Sequence, residues 1–411
     1  MEDETLPTAA TPRRRRRERL ALGALLFFFA AITAFFANFH PSHGRFYDER
    51  FALQNVHSVL QRQAFEPANG YYPTLSYMPQ TLALGFLEAY GQRSEGRSWI
   101  YRETPPPSAD VLPPAAGRAF TPLAYRVSRG VQILWGLLTL VALFALGRRA
   151  FGAAAAGVGV TLLALTPWFM LSAAKFKPDA ALLATSVLAL WLSARASERP
   201  FSWRGYAAAG AAIAAAMSCK LTGGLTALPL TAVAIAQALR ERRRLAGLAT
   251  AGATSLALFL IANPHLLFYL HFMQRLSSEY EDKAKAYGGT HLGVAGSSLE
   301  LVVSREGFGP IFGALALVGF VILGLRGWRR GGALRRPSAA ILWLFAPIYL
   351  AAFAASTPHF KPNNVLSTLP PLALIAGWLT VDLGRRMAFA ARERGPQTRL
   401  ARAALGLAVA A

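Results

Sequence analysis

The sequence has few charged residues and almost no cysteine. Charged residues make up 16% and hydrophobic residues 54% of its 411 residues, with a mean hydropathy of +0.34. This balance is too apolar for a water-soluble globule. The single cysteine, Cys219, excludes a disulfide bond within the chain, and no cysteine or histidine cluster has zinc-ligand spacing. The composition therefore indicates an integral membrane protein.

Long apolar runs recur along the whole chain. A helix of about 20 apolar residues crosses a hydrocarbon core of about 30 Å, and the alternating pattern of a membrane barrel is missing. The predicted fold is an all-α integral membrane bundle of about 10–11 transmembrane helices. The predicted helices are 20–39, 121–147, 153–173, 178–194, 205–219, 221–239, 245–264, 307–325, 338–356 and 363–383.

The arginines predict the orientation of this bundle. If the connections alternate sides, the N-terminal tail and the segments on its side hold 26 arginines and 8 acidic residues. The opposite segments hold 17 basic and 13 acidic residues. Because positive charge collects on the cytoplasmic side, the N-terminus is predicted to be cytoplasmic. The net charge of +22 is then mostly a topological signal, and no nucleic-acid partner is expected.

The apolar segment 75–90 is the difficult one, because it is interrupted by Pro79 and carries Glu88. If it crossed the bilayer, every later loop would change sides and most arginine clusters would face outward. The segment is therefore predicted to lie in the interface. An uncleaved first helix is favoured over a signal peptide, since no small-residue cleavage site follows it. The predicted parts are a basic cytoplasmic tail 1–19, a transmembrane domain 20–385 with outer loops 40–120 and 265–306, and a cytoplasmic segment 386–411 that begins an incomplete last helix.

Charged residues gather where the predicted helices meet the outer surface, whereas mid-span charges typical of transport pathways are nearly absent. The adjacent carboxylates Asp48 and Glu49 follow the first helix, where a carboxylate could take a proton from an acceptor hydroxyl. A phosphate leaving group needs cations nearby. The candidate substrate-binding residues at the outer helix ends are Arg126, Arg129, Lys175, Lys177, Asp179, Lys220, His359 and Lys361. Taken singly, a cation at a helix end more often extends to the water interface than binds a substrate. Taken alone, Asp48-Glu49 would be interpreted as a solvated pair of loop residues.

Several short motifs occur in a defined order with these residues. They are Asp48-Glu49, Tyr72-Pro73-Thr74-Leu75-Ser76-Tyr77, Arg129 with Leu146-Gly147-Arg148-Arg149-Ala150-Phe151-Gly152, Lys177-Pro178-Asp179, Cys219-Lys220-Leu221-Thr222-Gly223 and Leu369-Pro370-Pro371-Leu372-Ala373-Leu374. Together they resemble the GT-C superfamily of polyprenyl-phosphate-dependent glycosyltransferases, especially glycosyltransferase family 39 with its protein O-mannosyltransferases and the aminoarabinose transferases. Two departures are His40-Pro41, which lies seven residues ahead of Asp48, and Asn363-Asn364, which replaces an Arg-Tyr pair.

The resemblance implies an inverting hexosyl- or pentosyltransferase on the non-cytoplasmic face. Asp48 would be the general base and Glu49 its support, while Arg129, Lys177 and Lys220 would be candidates for the donor phosphate. The implied partners are a polyprenyl-phosphate sugar donor, membrane lipids, and an acceptor glycan, lipid or protein, in a bacterial inner membrane with a periplasmic active-site loop. A divalent metal is possible beside the carboxylates but is not required by the sequence.

Two competing interpretations belong to other classes of protein. A transporter or lipid flippase would need polar residues in the middle of its spans or paired broken helices, and neither is convincing here. A non-catalytic membrane scaffold would keep the helices while losing the chemistry of Asp48.

Overall fold

The computed structural model describes residues 12–39, 47–62, 73–103, 118–264, 291–327, 332–356 and 362–393. These residues are helical apart from short connections and one antiparallel pair of strands, β1 (Tyr101–Glu103) and β2 (Arg118–Phe120). The helices are α1 Pro12–Phe39, α2 Tyr47–Arg62, α3 Met78–Glu95, α4 Pro122–Phe151, α5 Ala153–Ala164, α6 Pro167–Ala174, α7 Pro178–Glu198, α8 Trp203–Met217, α9 Ala227–Ala238, α10 Arg243–Ala262, α11 His291–Val303, α12 Gly309–Gly327, α13 Pro337–Ser356, α14 Pro362–Val365 and α15 Leu369–Glu393.

Eight helical segments in the described part of the chain are long and apolar enough to cross a membrane, which confirms the predicted polytopic helical bundle. The predicted run 153–173 is not one straight helix. It is divided into α5 and α6, which are bent by 64°. Pro167 begins α6 and cannot continue α5, because proline lacks the N–H group that a continuing helix needs. If α5 and α6 form one broken span, the described residues hold up to nine spans.

The predicted helix 205–219 corresponds to α8, which has only 15 residues and is not among the candidate spans. At a rise of about 1.5 Å per residue this helix is about 22 Å long. It starts just beyond the end of α7, and Lys220, which follows it, lies 3.7 Å from Asp179 at the start of α7. The α8 segment therefore runs antiparallel to α7 along its full length, although helix length alone does not identify it as a span.

Polar contacts at one end of the bundle join the ends of several helices. Glu198, at the end of α7, accepts a hydrogen bond from Arg149 Nε of α4 at 3.0 Å and from the Ser338 N–H of α13 at 3.2 Å. Arg244 of α10 donates to the carbonyls of Ala196 and Arg199. We call this the Glu198 end. The opposite end, where α1 and α10 finish and α4 and α7 begin, is the Glu49 end.

Small residues bring α15 against α4 and α5 in the main hydrophobic core. A Cβ atom added at Gly159 would lie 2.8 Å from the carbonyl oxygen of Ala373 and 2.9 Å from Leu374 Cα, and one at Gly147 would meet the Leu374 side chain. Only glycine allows backbones to approach this closely, as in other membrane helix pairs. The late motif around Leu374 is thus a buried packing surface, with Leu374 fully buried.

The segment predicted to lie in the interface forms α3, which is not among the candidate spans of the described residues. Pro79 lies in its first turn, the position where proline is best tolerated in a helix. Gln80 and Leu84 are buried, whereas Leu82 and Phe86 are exposed on the other side. This distribution suits a helix that rests on the bundle and faces the bilayer surface.

Candidate active site

Glu49 is the centre of a buried contact at the Glu49 end. Its side chain is fully buried and accepts two hydrogen bonds from Arg129, from Nε at 3.1 Å and from Nη2 at 2.8 Å. It also accepts the backbone N–H of Phe176 at 3.0 Å. Glu49 therefore joins the start of α2 to α4 and to the short connection between α6 and α7.

Arg129 uses its remaining arm to bind α1. Nη1 donates to the carbonyl of Ala37 at 2.7 Å, and the side chain is 4% exposed. The guanidinium is therefore engaged on three sides by Glu49 and Ala37. This arrangement is a bidentate charged pair of the strongest geometry that arginine and a carboxylate can form.

Asp48 lies at the second residue of α2, directly before Glu49. The contacts of Glu49 therefore fix the backbone that carries Asp48. The same carboxylate binds the backbone of Phe176, which lies between Lys175 and Lys177 in sequence. One side chain thus links the segment with the predicted base to the segment with two predicted phosphate ligands.

Asp179 and Lys220 form a second charged pair at this end. Lys220 Nζ lies 3.7 Å from Asp179 Oδ1, the aspartate is nearly buried, and the lysine side chain is 20% exposed. Cys219, the neighbour of Lys220, is fully buried. Lys177 is the N-cap residue of α7, one turn or less from Asp179. The structure therefore brings the predicted residues Lys177, Asp179 and Lys220 to one place.

Residues 73–77 dock through their backbone on Ser218, the residue before the motif 219–223, and on Asn263. The N–H of Leu75 donates to the carbonyl of Ser218 at 2.9 Å, and the N–H of Thr74 donates to Asn263 Oδ1 at 2.8 Å. Burial raises the pKa of Tyr77, at the end of this motif, to about 12. These contacts place the start of α3 beside the beginning of the motif 219–223.

Asn263 is a residue whose role the sequence analysis missed. It is fully buried at the end of α10. Besides accepting from Thr74, its amide donates to Ser218 Oγ at 2.9 Å and to the carbonyl of Phe259 at 2.8 Å. The available signal is an asparagine directly before Pro264 at a helix end, but that pattern predicts only a helix boundary.

A buried polar layer lies one helical turn inside the bundle from Arg129. The helices α1 and α4 contact each other at Ala37 and Arg129, and again where a Cβ at Gly136 would lie 3.0 Å from the Phe29 ring. Thr33 and Gln132 lie between these two contacts and are fully buried. Their polar side-chain atoms have no hydrogen-bond partner among the described residues.

The remaining predicted residues are one exposed arginine and two residues outside the described segments. Arg126 is exposed on α4. His359 and Lys361 lie outside the described residues, as does most of the predicted second outer loop. In the described segments, no three histidine, cysteine, aspartate or glutamate side chains come together in a group that could hold a metal ion.

Comparison with known families gives a match over part of the chain. Residues 124–268 match the family described as dolichyl-phosphate-mannose-protein mannosyltransferase. This stretch includes Arg129, Lys177, Asp179 and Lys220. The sequence has no match among curated proteins.

Two solved structures resemble the fold closely. The crystal structure of ArnT from Cupriavidus metallidurans bound to undecaprenyl phosphate matches with a TM-score of 0.59 at 17% identity, over 90% of this chain and 62% of that one. The archaeal oligosaccharyltransferase AglB from Archaeoglobus fulgidus, in complex with an inhibitory peptide and a dolichol-phosphate, matches with a TM-score of 0.55 at 13% identity, over 95% and 54% of the two chains. The predicted resemblance to the GT-C superfamily and its membrane fold is confirmed, and the chain spans less than two thirds of either structure.

Proposed function

We propose that this chain is a membrane glycosyltransferase that moves a sugar from a polyprenyl phosphate to an acceptor hydroxyl at the Glu49 end. The observation that carries the proposal is the position of Glu49, which joins the backbone next to Asp48 to the backbone between Lys175 and Lys177. The fold and the family match over residues 124–268 support the same class of reaction. The resembling structures with bound undecaprenyl phosphate and dolichol-phosphate support the class of donor.

The proposed reaction is a single displacement. Asp48 takes the proton of the acceptor hydroxyl, whose oxygen forms a bond to the anomeric carbon of the sugar. The bond from that carbon to the phosphate oxygen breaks, the electron pair leaves with the polyprenyl phosphate, and the sugar inverts. Lys177 and Lys220 would neutralise this phosphate. The contacts of Arg129 support a positioning role, since its guanidinium holds Glu49 and α1 together.

The proposed sidedness follows from the charges at the two ends. Arg148, Arg149, Arg199 and Arg244 lie at the Glu198 end, and an excess of arginine is typical of the cytoplasmic face. The Glu49 end would then face the periplasm of a bacterial inner membrane. The acceptor would be a glycan, lipid or protein reached from that side.

The proposal is tested with the full chain, purified and supplied with polyprenyl-phosphate donors that carry a hexose or a pentose, together with cell-envelope extract as the acceptor. We expect Asp48→Asn to lower transfer about 10²–10⁴-fold, the usual contribution of a general base. Glu95→Gln is the matched control, because it removes an exposed carboxylate of α3 that lies away from the site. Release of polyprenyl phosphate measures the reaction.

Two outcomes would overturn parts of the proposal. Transfer by Asp48→Asn at the level of Glu95→Gln would remove Asp48 as the base. Binding of undecaprenyl phosphate without transfer of any offered sugar, by a chain that folds correctly, would favour the non-catalytic scaffold.

A further inference from the structure

A cavity lined by both arginines and apolar side chains lies at the Glu198 end, at the opposite end of the bundle from the candidate active site. It has a volume of about 520 Å³ and is formed by the end of α7, the connection to α8 and the first turns of α8. Three arginines line it, Arg195, Arg199 and Arg204. Its other walls include Leu192, Phe201 and Ala208.

Among the described residues, none of the three arginine side chains is paired with a carboxylate. Two acidic residues at this end of the bundle already form ion pairs with other arginines. Glu198 binds Arg149 and the Ser338 N–H, and Glu241 binds Arg244 Nε at 2.8 Å. The cavity therefore carries positive charge that no carboxylate of the described residues compensates, and Arg199 and Arg204 are exposed, where an anion from outside can reach them.

The N-terminus of α8 adds to the attraction for an anion. Ser202, the N-cap residue, accepts the Gly205 N–H, and both residues line the cavity. The start of a helix of this length carries a partial positive charge. The three arginines and the helix start thus point to the same kind of ligand.

The rest of the cavity suits a lipid better than a free ion. Leu192 belongs to α7 and Ala208 to α8, and both helices are largely apolar. Phe201 packs edge-on against Trp203 at 4.9 Å, and Trp203 is 55% exposed. Arg195 lies 5.9 Å from the Trp191 ring. Tryptophan next to arginine at helix ends is typical of the level of the lipid head groups.

We propose that this cavity binds one anionic glycerophospholipid of the adjacent leaflet. Its phosphate contacts Arg195, Arg199 and Arg204, and its acyl chains lie over the accessible apolar side chains Leu192 and Ala208. Basic pockets between transmembrane helices bind lipid head groups by the same combination of arginine and apolar wall. The site is at the opposite end from Asp48, so it does not depend on the proposed transferase activity.

The test uses the full chain in neutral detergent, titrated with phosphatidylglycerol, phosphatidylcholine or inorganic phosphate, and native mass spectrometry to count bound lipid. Near a membrane surface, each basic residue changes the affinity for anionic lipid about fivefold. We therefore expect Arg199→Gln/Arg204→Gln to weaken phosphatidylglycerol binding about twentyfold. Phosphatidylcholine should bind weakly to both proteins.

The matched control is Arg240→Gln/Arg242→Gln. It removes the same charge from exposed positions at the same end of the bundle, between α9 and α10, and neither residue lines the cavity. Equal losses in the two double variants would overturn the site, because the binding would then depend on net charge alone. Competition by inorganic phosphate at the concentration of the lipid would overturn the lipid as ligand, since the apolar wall would contribute nothing.

Discussion

The helix α4 carries an arginine–carboxylate contact near each of its ends, and the two contacts are built alike. Arg129 binds Glu49 near the start, and Arg149 binds Glu198 in the last turn. Each carboxylate also accepts one backbone N–H, from Phe176 in the first case and from Ser338 in the second. The two contacts use the same kinds of group, but Arg129 donates two hydrogen bonds to Glu49 whereas Arg149 donates one to Glu198, and the surroundings also differ.

Exposure separates the two contacts. The side chains of Arg129 and Glu49 are 4% and 0% exposed, whereas those of Arg149 and Glu198 are 30% and 20% exposed. Water can replace a lost partner at the Glu198 end but not at the Glu49 end. Because burying two charges carries a large desolvation cost, a buried pair is weak evidence for stability. The position of Glu49 beside Asp48 is better explained by the need to fix the candidate site.

The largest effect is expected for Arg129→Met. It leaves Glu49 buried with one backbone donor and without its cation, and breaking a buried pair in this way costs about 3–5 kcal/mol. The thermal unfolding of the purified chain in detergent measures the loss. In a double-mutant cycle, Glu49→Gln/Arg129→Met should be more stable than the sum of the single changes predicts. Additive losses would show that the two side chains do not depend on each other.

A much smaller effect is expected for Arg149→Met at the other end of α4. The pair is partly exposed, so the loss should be about 1 kcal/mol or less, as for other solvated ion pairs. The same unfolding measurement applies, and raised salt should weaken the wild-type contact but leave the Arg129 contact nearly unchanged. A loss as large as that of Arg129→Met would contradict the role of burial in this comparison.

The sequence was sufficient to predict the helical bundle and the residues at its ends. Apolar runs identify spans because their signal is local and does not depend on tertiary contacts. The same reasoning placed Lys177, Asp179 and Lys220 at one surface, and the structure brings them together. The break between α5 and α6 was missed, because a proline inside an apolar run can either kink a helix or end it.

The pairings inside the bundle could not be predicted in this way. Glu49 and Arg129 were both recognised as site residues, but their direct bond joins positions 80 residues apart. Asn263 was missed because two of its three partners, Ser218 and Thr74, lie 45 and 189 residues away in sequence. Such contacts depend on which helix faces meet, and a single sequence does not contain that information.

The smallest effect on stability is expected for Gln132→Met, one turn inside the bundle from Arg129. The Gln132 amide is fully buried without a hydrogen-bond partner among the described residues. Replacing an unsatisfied polar group by an apolar one of similar shape is nearly neutral or stabilising, so the change should stay within about 1 kcal/mol of wild type. Leu140→Ala, at a fully buried apolar position on the same helix, is the control and should cost about 2–5 kcal/mol. If Gln132→Met is as damaging as Arg129→Met, the buried amide has a partner such as water or substrate, and burial without pairing is the wrong description of this layer.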